Sequence, residues 1–429
     1  MDLDYNGTIR DYIDRVCAQV RFKDVHNDLE MELTAHIREA AKEYMDKGFS
    51  KGEAVEKAVV RMGDPVTVGK ELDRAHRPRI EWLVLLFSFI FIGFGLVAIY
   101  FAEKTLTSNF IFKRSLLFSI AAAVLIGILY YFDYRKLEKR SKYIYLGTLV
   151  LLTVSVLNGT FANGAPWFKL GPINFNIITM SPLLFSISFA GIFNGWDWGS
   201  TREFIKGVVI FFVPLIIILK ASSFAIAVVY IASFLVIAAA SGIGLRKLLP
   251  LTFSVMAVLT SPILLEPYIM SRLLTFINPT GDPMGGGYIY VQLRELFSSS
   301  SLLGRGFSFD LRMLPEMHTD FILAFITYTF GWAASIILIS LAAAFILHMV
   351  KTLKRVKTGY GKLLIYGFTA VLGTEFLWNI SMNFGFAPIA GISFPFVSYG
   401  GSQLITNAAI IGVILSVHRR KNLSTNPYL

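Results

Sequence analysis

Residues 82–101 read WLVLLFSFIFIGFGLVAIYF, a stretch of 20 residues without a charged side chain. About 20 apolar residues in a helix are enough to cross the hydrocarbon core of a bilayer. Helices are expected because backbone groups in lipid must pair within their own segment. Nine further apolar runs follow, so the sequence predicts an all-α fold, a polytopic membrane bundle of about ten helices. The ten runs lie at about 81–101, 115–132, 143–160, 180–195, 207–219, 222–242, 249–265, 320–348, 363–383 and 401–418.

The composition supports a membrane location. Of the 429 residues, 55% are hydrophobic and 16% are charged, whereas a soluble domain carries about 25% charged residues. This deficit means that much of the surface cannot face water. Cys17 is the one cysteine in the sequence, which excludes an internal disulfide framework. We interpret Cys17 as a small buried apolar residue rather than a reactive thiol.

The distribution of charge predicts the orientation of the bundle. Basic residues gather in alternate connections, at 133–142, 196–206, 243–248, 349–362 and in the tail from 419. Since short cytoplasmic loops carry an excess of Lys and Arg, these connections and both termini are expected to be cytoplasmic. Residues 81–429 hold 26 basic and 13 acidic side chains. Topology and anionic membrane lipids explain this surplus, so no nucleic acid partner is expected.

Residues 1–78 differ from the rest, because they suit a soluble helical head. Apolar positions there recur at spacings of three and four, as on the buried face of an amphipathic helix. Ser50 and Glu53 form a predicted capping box for the following helix. The apolar series within 24–47 is Val25, Leu29, Leu33, Ile37, Ala40, Ala41 and Tyr44.

The head also carries a recognisable pattern. It consists of Glu32-Leu33, His36-Ile37, Gly48-Phe49-Ser50, Glu53-Ala54 and Met62-Gly63-Asp64-Pro65. This pattern resembles the HAAS-type prefix domain found ahead of some bacterial membrane proteins. The resemblance implies a cytoplasmic helical prefix domain at 1–78, followed by a membrane domain at 79–429.

The longest predicted connection, at about 266–319, would lie outside the cell. A connection of this length in a compact bundle is typically functional. Gly281 and Gly285-Gly286-Gly287 allow sharp backbone bends but lack the spacing of a nucleotide-binding loop. Its ionisable residues, together with the first residue of the next run, are Glu266, Arg272, Asp282, Arg294, Glu295, Arg305, Asp310, Arg312, Glu316, His318 and Asp320.

Four residue clusters lie on or near the predicted outer face. The first is Trp167-Phe168-Lys169-Leu170-Gly171-Pro172, and the second runs from Arg272 to Tyr288 and Gln292. The third joins Gly304-Arg305-Gly306 to Leu314-Pro315-Glu316-Met317-His318-Thr319-Asp320-Phe321. The fourth follows Asn379, Pro388 and Gly391 and reads Pro395-Phe396-Val397-Ser398-Tyr399-Gly400-Gly401-Ser402. In this order and spacing they resemble the SEDS family, the FtsW-, RodA- and SpoVE-type proteins of bacterial cell-wall synthesis.

The resemblance is strongest over about 270–415 and implies a peptidoglycan glycosyltransferase. Such an enzyme polymerises lipid II into glycan strands at the outer face of the cytoplasmic membrane. The implied ligands are lipid II and the undecaprenyl pyrophosphate-linked glycan, and the implied partner is a class B penicillin-binding protein. The process served would be cell shape, division or sporulation.

Three departures from the family pattern mark the chain as a divergent paralogue. Pro166 stands before Trp167, where the family usually has Arg. Residues 176–182 replace a common Gln-Pro-Ser-Glu-Leu-Ala-Lys run, and residues 327–331 replace a frequent Gly-Glu-Glu-Leu-Gly. The lost carboxylates and lysines bear on acceptor recognition, on the partner interface and on activity itself.

Asp320 is the strongest catalytic candidate. It begins the predicted helix 320–348 at the boundary of water and lipid, where partial desolvation raises the pKa of a carboxyl group. Glycan polymerisation requires the acceptor hydroxyl to lose a proton as it attacks the donor's anomeric carbon, and a positioned carboxylate can accept it. The alternative from the residues alone is an N-terminal helix cap. The family match at 314–321 favours catalysis.

Substrate-binding residues are predicted on the same outer face. Arg272 and Arg305 would pair with the pyrophosphate of a lipid-linked donor, because guanidinium groups bind phosphate oxygens in bidentate fashion. Anchoring to lipid headgroups is the alternative for both, and Arg294 fits either role equally. Trp167 is a candidate sugar platform or an aromatic-belt anchor. The resemblance adds substrate contacts at Lys169, Gln292, Glu316, His318 and Ser398.

Two other classes of function stay open on the sequence. A transporter (flippase) of lipid-linked precursors would place charges along a path near the bilayer midplane. The predicted charges gather instead at one outer edge, apart from Glu375 in the ninth run. The second class is a non-catalytic scaffold for a partner synthase, which the missing motifs favour. No Asp, Glu and His cluster predicts a metal site, so no cofactor is predicted, although a divalent cation is not excluded.

Overall fold

The computed structural model describes residues 6–76, 80–106, 110–162, 165–170, 173–221, 223–265, 267–307 and 314–421. Contacts within the chain divide it into two compact units. One consists of Met1–Ile80 with His418–Leu429, and the other is Glu81–Val417. Each unit has a hydrophobic core of its own.

The first unit begins with four helices whose buried faces follow the predicted periodicity. They are α1 (Asn6–Gln19), α2 (His26–Asp46), α3 (Lys51–Met62) and α4 (Pro65–His76). The buried residues of α2 are Leu29, Leu33, Ile37 and Ala41. The predicted capping box of α3 is present, because the side chains of Ser50 and Glu53 each accept from the other's backbone N–H. These bonds pair donors that the first helical turn leaves open.

Cys17 lies on α1 and is half-buried against the core of this unit. Burial, followed by the negative charges of Glu30 and Asp14, raises the pKa of its thiol. Since the thiolate is the reactive form, this environment fits an unreactive packing residue.

The second unit is a bundle of helices, and the predicted all-α, polytopic membrane fold is confirmed. Among the described residues, α5, α6, α16, α17 and α18 are each long and apolar enough to cross a bilayer. The helices are α5 (Trp82–Leu106), α6 (Ile111–Tyr131), α7 (Arg135–Lys139), α8 (Ser141–Asn158), α9 (Ile177–Ile192), α10 (Thr201–Lys220), α11 (Phe224–Ala240), α12 (Leu245–Leu265), α13 (Pro267–Ile277), α14 (Tyr288–Ser299), α15 (Ile322–Phe330), α16 (Trp332–Thr352), α17 (Gly359–Asn383) and α18 (Gly401–Arg419).

The predicted run at 320–348 is not one helix, which corrects the expectation from sequence. It is divided at Gly331 into α15 and α16. Gly331 has φ +95°, a backbone conformation that glycine adopts without a steric penalty. A Cβ at this position would collide with the carbonyl oxygen of Leu302. The chain after α14 passes beside the break, and the backbone N–H of Trp332 donates to the carbonyl of Ser301 at 3.1 Å.

A small antiparallel sheet, which was not predicted from the sequence, lies between α8 and α9. Its strands are β1 (Thr160–Ala162), β2 (Ala165–Leu170) and β3 (Ile173–Phe175), in the order β1-β2-β3. The first motif cluster therefore lies on β2, where Trp167 is opposite Thr160 and Lys169 is opposite Asn174. Gly171 and Pro172 of that cluster lie outside the described residues.

Polar contacts bring four basic connections of the membrane unit, at 133–142, 196–206, 243–248 and 349–362, to one end of the bundle. These connections are the ones that the charge pattern predicts to be cytoplasmic. Four side-chain contacts join or border them, at Tyr134–Thr358 (2.9 Å), Asn194–Glu138 (2.7 Å), Lys247–Gly199 (2.9 Å) and Arg355–Glu81 (2.9 Å). The alternation predicted along the sequence thus corresponds to a spatial grouping.

Helix α17 is largely buried in the membrane unit and positions the candidate site. Gly367 lets it approach α11, because a Cβ there would lie 2.6 Å from Cδ1 of Ile237. Glu375, Asn379 and Asn383 are all buried, and their spacing of four residues places them on one face of the helix. This polar face leads toward the end of the bundle that carries Asp320.

Candidate active site

Asp320 is held in a tight turn that joins the long outer connection to α15. The side chains of Leu314, Met317 and Phe321 anchor the turn in the core. Glu316 has φ +53°, a conformation that costs a non-glycine residue energy and that gathers at functional sites. Its carbonyl accepts from the backbone N–H groups of both Thr319 and Phe321.

The alternative role of Asp320 as a helix cap is not realised in this structure. Helix α15 begins at Ile322, two residues later than predicted, and its N-cap residue is Phe321. In the described part of the chain, no side chain caps this helix. The carboxyl group instead accepts a hydrogen bond from Ser393 Oγ, which lies 3.3 Å from Asp320 Oδ1. The side chain of Asp320 is therefore available for chemistry rather than used for capping.

The fourth motif cluster folds against this turn through backbone bonds. The N–H of Tyr399 donates to the carbonyl of His318 at 2.9 Å. Ser398 Oγ donates to the carbonyl of Thr319 at 2.6 Å and accepts from the N–H of Phe394 at 2.9 Å. Ser398 therefore connects the third motif cluster to the fourth. Its contact with substrate stays a prediction.

Phe396 fixes the loop that carries Ser398. It has φ +64°, and its ring lies 6.3 Å from that of Phe91 and 6.4 Å from that of Phe345. Gly95 allows the loop to pass close to α5, because a Cβ would lie 2.6 Å from the carbonyl oxygen of Val397. Aromatic packing thus stabilises a backbone conformation that would be unfavourable on its own.

Two buried amides of α17 hold the main chain of Asp320 in place. Asn379 Nδ2 donates to the carbonyl oxygen of Asp320 at 2.9 Å and to that of Ile392 at 2.7 Å. Asn383 Nδ2 donates to the same Asp320 oxygen at 3.2 Å. One side chain therefore ties both motifs to the same helix. Asn379 was identified from the sequence only as a family match, whereas Asn383 and Ser393 were missed.

The surroundings of Asp320 suit a general base. Partial burial, assisted by the negative charge of Glu316 and opposed by the hydrogen bond from Ser393, raises the pKa of Asp320 to about 7. A base with a pKa near the working pH is both present in its ionised form and able to take a proton. This shift places Asp320 in the useful range.

Glu316 and His318 flank Asp320 in the same turn. Glu316 is exposed, and its Oε2 accepts from Thr319 Oγ1 at 2.6 Å. His318 is half-buried with its ring 5.5 Å from that of Tyr399. Burial lowers the pKa of His318, so its imidazole is mainly neutral at neutral pH. Its Nδ1 is buried and has no hydrogen-bond partner among the described residues.

The remaining predicted binding residues lie on separate segments of the chain. Arg272 is exposed on α13, and Gln292 is half-buried on α14. Arg305 is exposed in the turn after α14, where its backbone N–H donates to the carbonyl of Tyr328 at 2.9 Å. The side chains of Trp167 and Lys169 lie outside what the structure describes, as do Asp310 and Arg312.

Tyr290 connects α14 to the motif loop, a contact that sequence reasoning missed. Its hydroxyl accepts from the backbone N–H of Ile389 at 2.9 Å. The positive charge of Arg272 also reaches this group, although burial dominates and raises the pKa of Tyr290. The second cluster therefore lies close to the fourth.

Glu375, the exception in the predicted charge pattern, lies deep between α17 and α18. Its Oε1 accepts from Gln403 Nε2 at 2.7 Å, and Gln403 also reaches Asn407 Oδ1 at 3.4 Å. Within the described ranges, no group of three or more His, Cys, Asp or Glu side chains could hold a metal ion. The polar side chains of the site are therefore a carboxyl group that can act as a base, Asp320, and the amide donors Asn379 and Asn383.

Comparison with known proteins places this arrangement in a family. A family model described as a cell cycle protein, of the FtsW, RodA and SpoVE type, matches residues 77–423. The chain is 28% identical over 368 residues to the probable peptidoglycan glycosyltransferase FtsW of Idiomarina loihiensis, covering 82% of this chain and 90% of that protein. It is 24% identical to the peptidoglycan glycosyltransferase RodA of Treponema pallidum, covering 80% and 98%.

Solved structures share the fold. A chain from a peptidoglycan synthase complex that coordinates polymerization and crosslinking matches with a TM-score of 0.71 and 21% identity, over 80% of this chain and 98% of that one. The rod shape determining protein RodA of Thermus thermophilus matches with a TM-score of 0.61 and 20% identity, over 80% and 97%. Since the family model covers most of the sequence, this protein belongs to the FtsW/RodA/SpoVE family, as the motifs predicted.

Proposed function

We propose that this protein is a peptidoglycan glycosyltransferase that polymerises lipid II at the outer face of the bacterial cytoplasmic membrane. The observation that carries the proposal is Asp320, a carboxyl group with a pKa of about 7 that two family motifs and α17 hold in place. Relatives that align over nearly their whole length carry the name peptidoglycan glycosyltransferase.

In the proposed reaction, the Asp320 carboxylate accepts the proton of the acceptor sugar's hydroxyl group. The hydroxyl oxygen attacks the anomeric carbon of the lipid-linked donor and forms a glycosidic bond. The bond between that carbon and the pyrophosphate breaks, and its electron pair leaves with undecaprenyl pyrophosphate. General-base catalysis of this kind contributes roughly 10²–10⁴ in rate.

Arg272 and Arg305 are the proposed partners of the donor pyrophosphate. Both residues are exposed, Arg272 on α13 and Arg305 in the turn after α14. Bidentate pairing with phosphate oxygens would hold the donor and stabilise negative charge on the leaving group. Trp167, Lys169 and Gln292 are proposed contacts to the sugars or peptide of the substrate.

We also propose that the end of the bundle carrying the basic connections is cytoplasmic and that residues 1–78 form a HAAS-type prefix domain on that side. In a Cys17→Ser background, a cysteine at Met284 should react with an impermeant maleimide on intact cells. A cysteine at Lys357 should react only after permeabilisation. Both positions are exposed, so equal labelling of the two from outside would contradict the orientation.

A non-catalytic scaffold for a class B penicillin-binding protein is the second candidate. Residues 328 and 329, where the family frequently has two glutamates, are Tyr328 and Thr329, and both are buried. No carboxylate is therefore supplied at these positions. The flippase alternative is less well supported, because Glu375 is engaged with Gln403 inside the helix packing.

The deciding experiment measures glycan synthesis by the purified full-length protein. Labelled lipid II is supplied to the protein alone and together with candidate class B penicillin-binding proteins. We expect polymeric glycan that depends on this chain. If no combination yields polymer while the protein still binds a partner, the scaffold function replaces the proposed one.

A further inference from the structure

The last helix of the described chain ends inside the first compact unit. Helix α18 runs without a break from Gly401 to Arg419, and the first unit contains His418–Leu429 together with the head. At 1.5 Å per residue, its 19 residues give a length of about 28 Å. One continuous helix therefore begins at the fourth motif cluster and ends among residues of the head.

Two arginines at the end of α18 contact the head. The guanidinium group of Arg420 lies 2.7 Å from Oδ2 of Asp24, and the Arg420 side chain is only 2% exposed. The guanidinium carbon of Arg419 lies 5.2 Å from the centroid of the Phe22 ring, a distance at which an aromatic face attracts a cation. Because an uncompensated buried charge is costly, the Asp24 carboxylate is needed where Arg420 is buried.

The head holds the two residues that receive these arginines in fixed positions. Asp24 lies in the short 3-10 helix that follows α1. Phe22 belongs to a small hydrophobic cluster of the head, together with Val20, Val25 and Leu29. A carboxylate and an aromatic ring that packing holds side by side form a surface suited to a basic helix end.

An anchor to lipid headgroups is the ordinary role of arginines at the end of a membrane helix. Such side chains extend toward the membrane surface, where anionic lipids attract them. Arg420 does not have this arrangement, because its side chain is buried and paired with a carboxylate of the head. The head therefore takes the place that a lipid headgroup would otherwise occupy.

The opposite end of α18 belongs to the structure that positions Asp320. Tyr399, two residues before the helix, donates its backbone N–H to the carbonyl of His318 in the Asp320 turn at 2.9 Å. The N–H of Leu404, in the first turn of α18, donates to the carbonyl of Gly400 at 2.9 Å. A shift of α18 along its axis would strain these bonds and so disturb the contact between the motif loop and the Asp320 turn.

We propose that the head is a regulatory clamp on α18. While Phe22 and Asp24 hold the end of the helix, α18 keeps the motif loop in the arrangement that positions Asp320, and release of the head lowers the rate of polymerisation. Coupling between two sites typically changes an equilibrium by about 5–150-fold. The inference rests on the proposed function, because it concerns control of that reaction. It gives the head a function that its sequence did not reveal.

The test is hydrogen–deuterium exchange of the full-length protein in nanodiscs that contain phosphatidylglycerol, together with its rate of lipid II polymerisation. Asp24→Asn removes the carboxylate that faces a buried guanidinium group, which should release the head from α18. We expect amide exchange at 414–421 and, at the other end of the helix, at 397–404 to become about fivefold faster or more, and the rate to fall by a similar factor. Asp11→Asn is the matched control, because it breaks an exposed ion pair with Arg15 within α1 and should change neither.

A double variant separates release of the head from misfolding. Asp24→Asn combined with Arg420→Gln removes both charges of the ion pair and should recover part of the parental exchange and rate. Unchanged exchange in α2 shows that the head of each variant stays folded.

Three results for Asp24→Asn would overturn the clamp: faster exchange at 414–421 alone, a higher rate of polymerisation, or parental behaviour throughout. If Asp24→Asn speeds exchange at both ends of α18 but the parent makes no polymer, the coupling between the head and the motif loop stands. The glycosyltransferase proposal then fails by itself.

Discussion

Asp320 and Glu375 are two carboxyl groups of the same membrane unit in contrasting surroundings. Each accepts one side-chain hydrogen bond, from Ser393 at 3.3 Å and from Gln403 at 2.7 Å, respectively. Glu375 lies within α17 and is only 4% exposed, whereas Asp320 is partly exposed in a turn. Asp320 is therefore accessible from outside the protein, and Glu375 is not. Desolvation alone therefore does not identify a catalytic acid or base, since access is also required.

Asp320 and Glu375 also differ in whether the main chain or the carboxyl group is held in place. The main chain of Asp320 is fixed by Asn379 and Asn383. Within the described residues, its carboxyl group accepts one long hydrogen bond, from Ser393. Glu375 is fixed by the helix that carries it and by Gln403. A firm backbone with a lightly bonded side chain suits a group that must exchange a proton with substrate.

The largest expected effect comes from exchanging each carboxyl group for an amide. Asp320→Asn keeps the shape but removes the proton acceptor, so the polymerisation rate should fall roughly 10²–10⁴-fold. Glu375→Gln can keep a hydrogen bond with Gln403 and should stay close to the parent rate. Polymerisation of labelled lipid II by both variants is the measurement. A fully active Asp320→Asn, or a Glu375→Gln that is equally inactive, would show that the two carboxyl groups do not differ in their roles.

The second expected effect concerns the support of Asp320. Asn379→Ala leaves the carbonyl oxygens of Asp320 and Ile392 without these donors, which should cost about 1–3 kcal/mol of stability. Displacement of the base should also lower the rate by up to roughly 10²-fold. Asn407→Ala is the control, because Asn407 is an equally buried amide in the Glu375 cluster. It should lower the melting temperature without a comparable loss of rate.

Much of this arrangement was predictable because long apolar runs and short motifs carry local information. Length and hydropathy predicted the helices, and the charge alternation predicted the grouping of basic connections. The break at Gly331 was not predictable, because it depends on the chain at 301–302 passing beside it, a contact between distant residues. An apolar run has no feature that distinguishes one helix from two in line.

The site shows the same division between local and distant information. Asp320 was identified from its motif and its place before an apolar run. Asn383 and Ser393 were missed, since neither belongs to a quoted motif and each contributes only through a contact across the fold. The spacing of Glu375, Asn379 and Asn383 on one helical face was the one signal that could have revealed the polar face of α17.

The third expected effect is on the pH dependence of the rate. The pKa of Asp320 is about 7, and the base must be ionised, so the rate should rise with pH through neutrality. The negative charge of Glu316 contributes to that raised pKa. Glu316→Gln removes the charge, favours the ionised base and should move the rising limb to lower pH. Rate measurements from pH 5 to pH 9 would contradict this assignment if the limb moved upward or stayed in place. The control is Glu295→Gln, at an exposed glutamate of α14, which should leave the pH dependence of the rate unchanged.

The smallest expected effect is at Ser393, and it separates the chemistry of Asp320 from its support. The hydroxyl of Ser393 donates to Asp320 Oδ1 and lowers the pKa of this carboxyl group against the effect of burial. Ser393→Ala should therefore raise the pKa of Asp320 and move the rising limb of the pH–rate profile upward, opposite to Glu316→Gln. Because the bond is long, the loss at pH 7 should be only about two- to tenfold, and a higher pH should restore the rate. Ser393→Thr keeps a hydroxyl group and should behave like the parent. A loss of rate that higher pH does not restore would mean that Ser393 positions the loop. The Ser393 variant would then give no evidence that Asp320 transfers a proton.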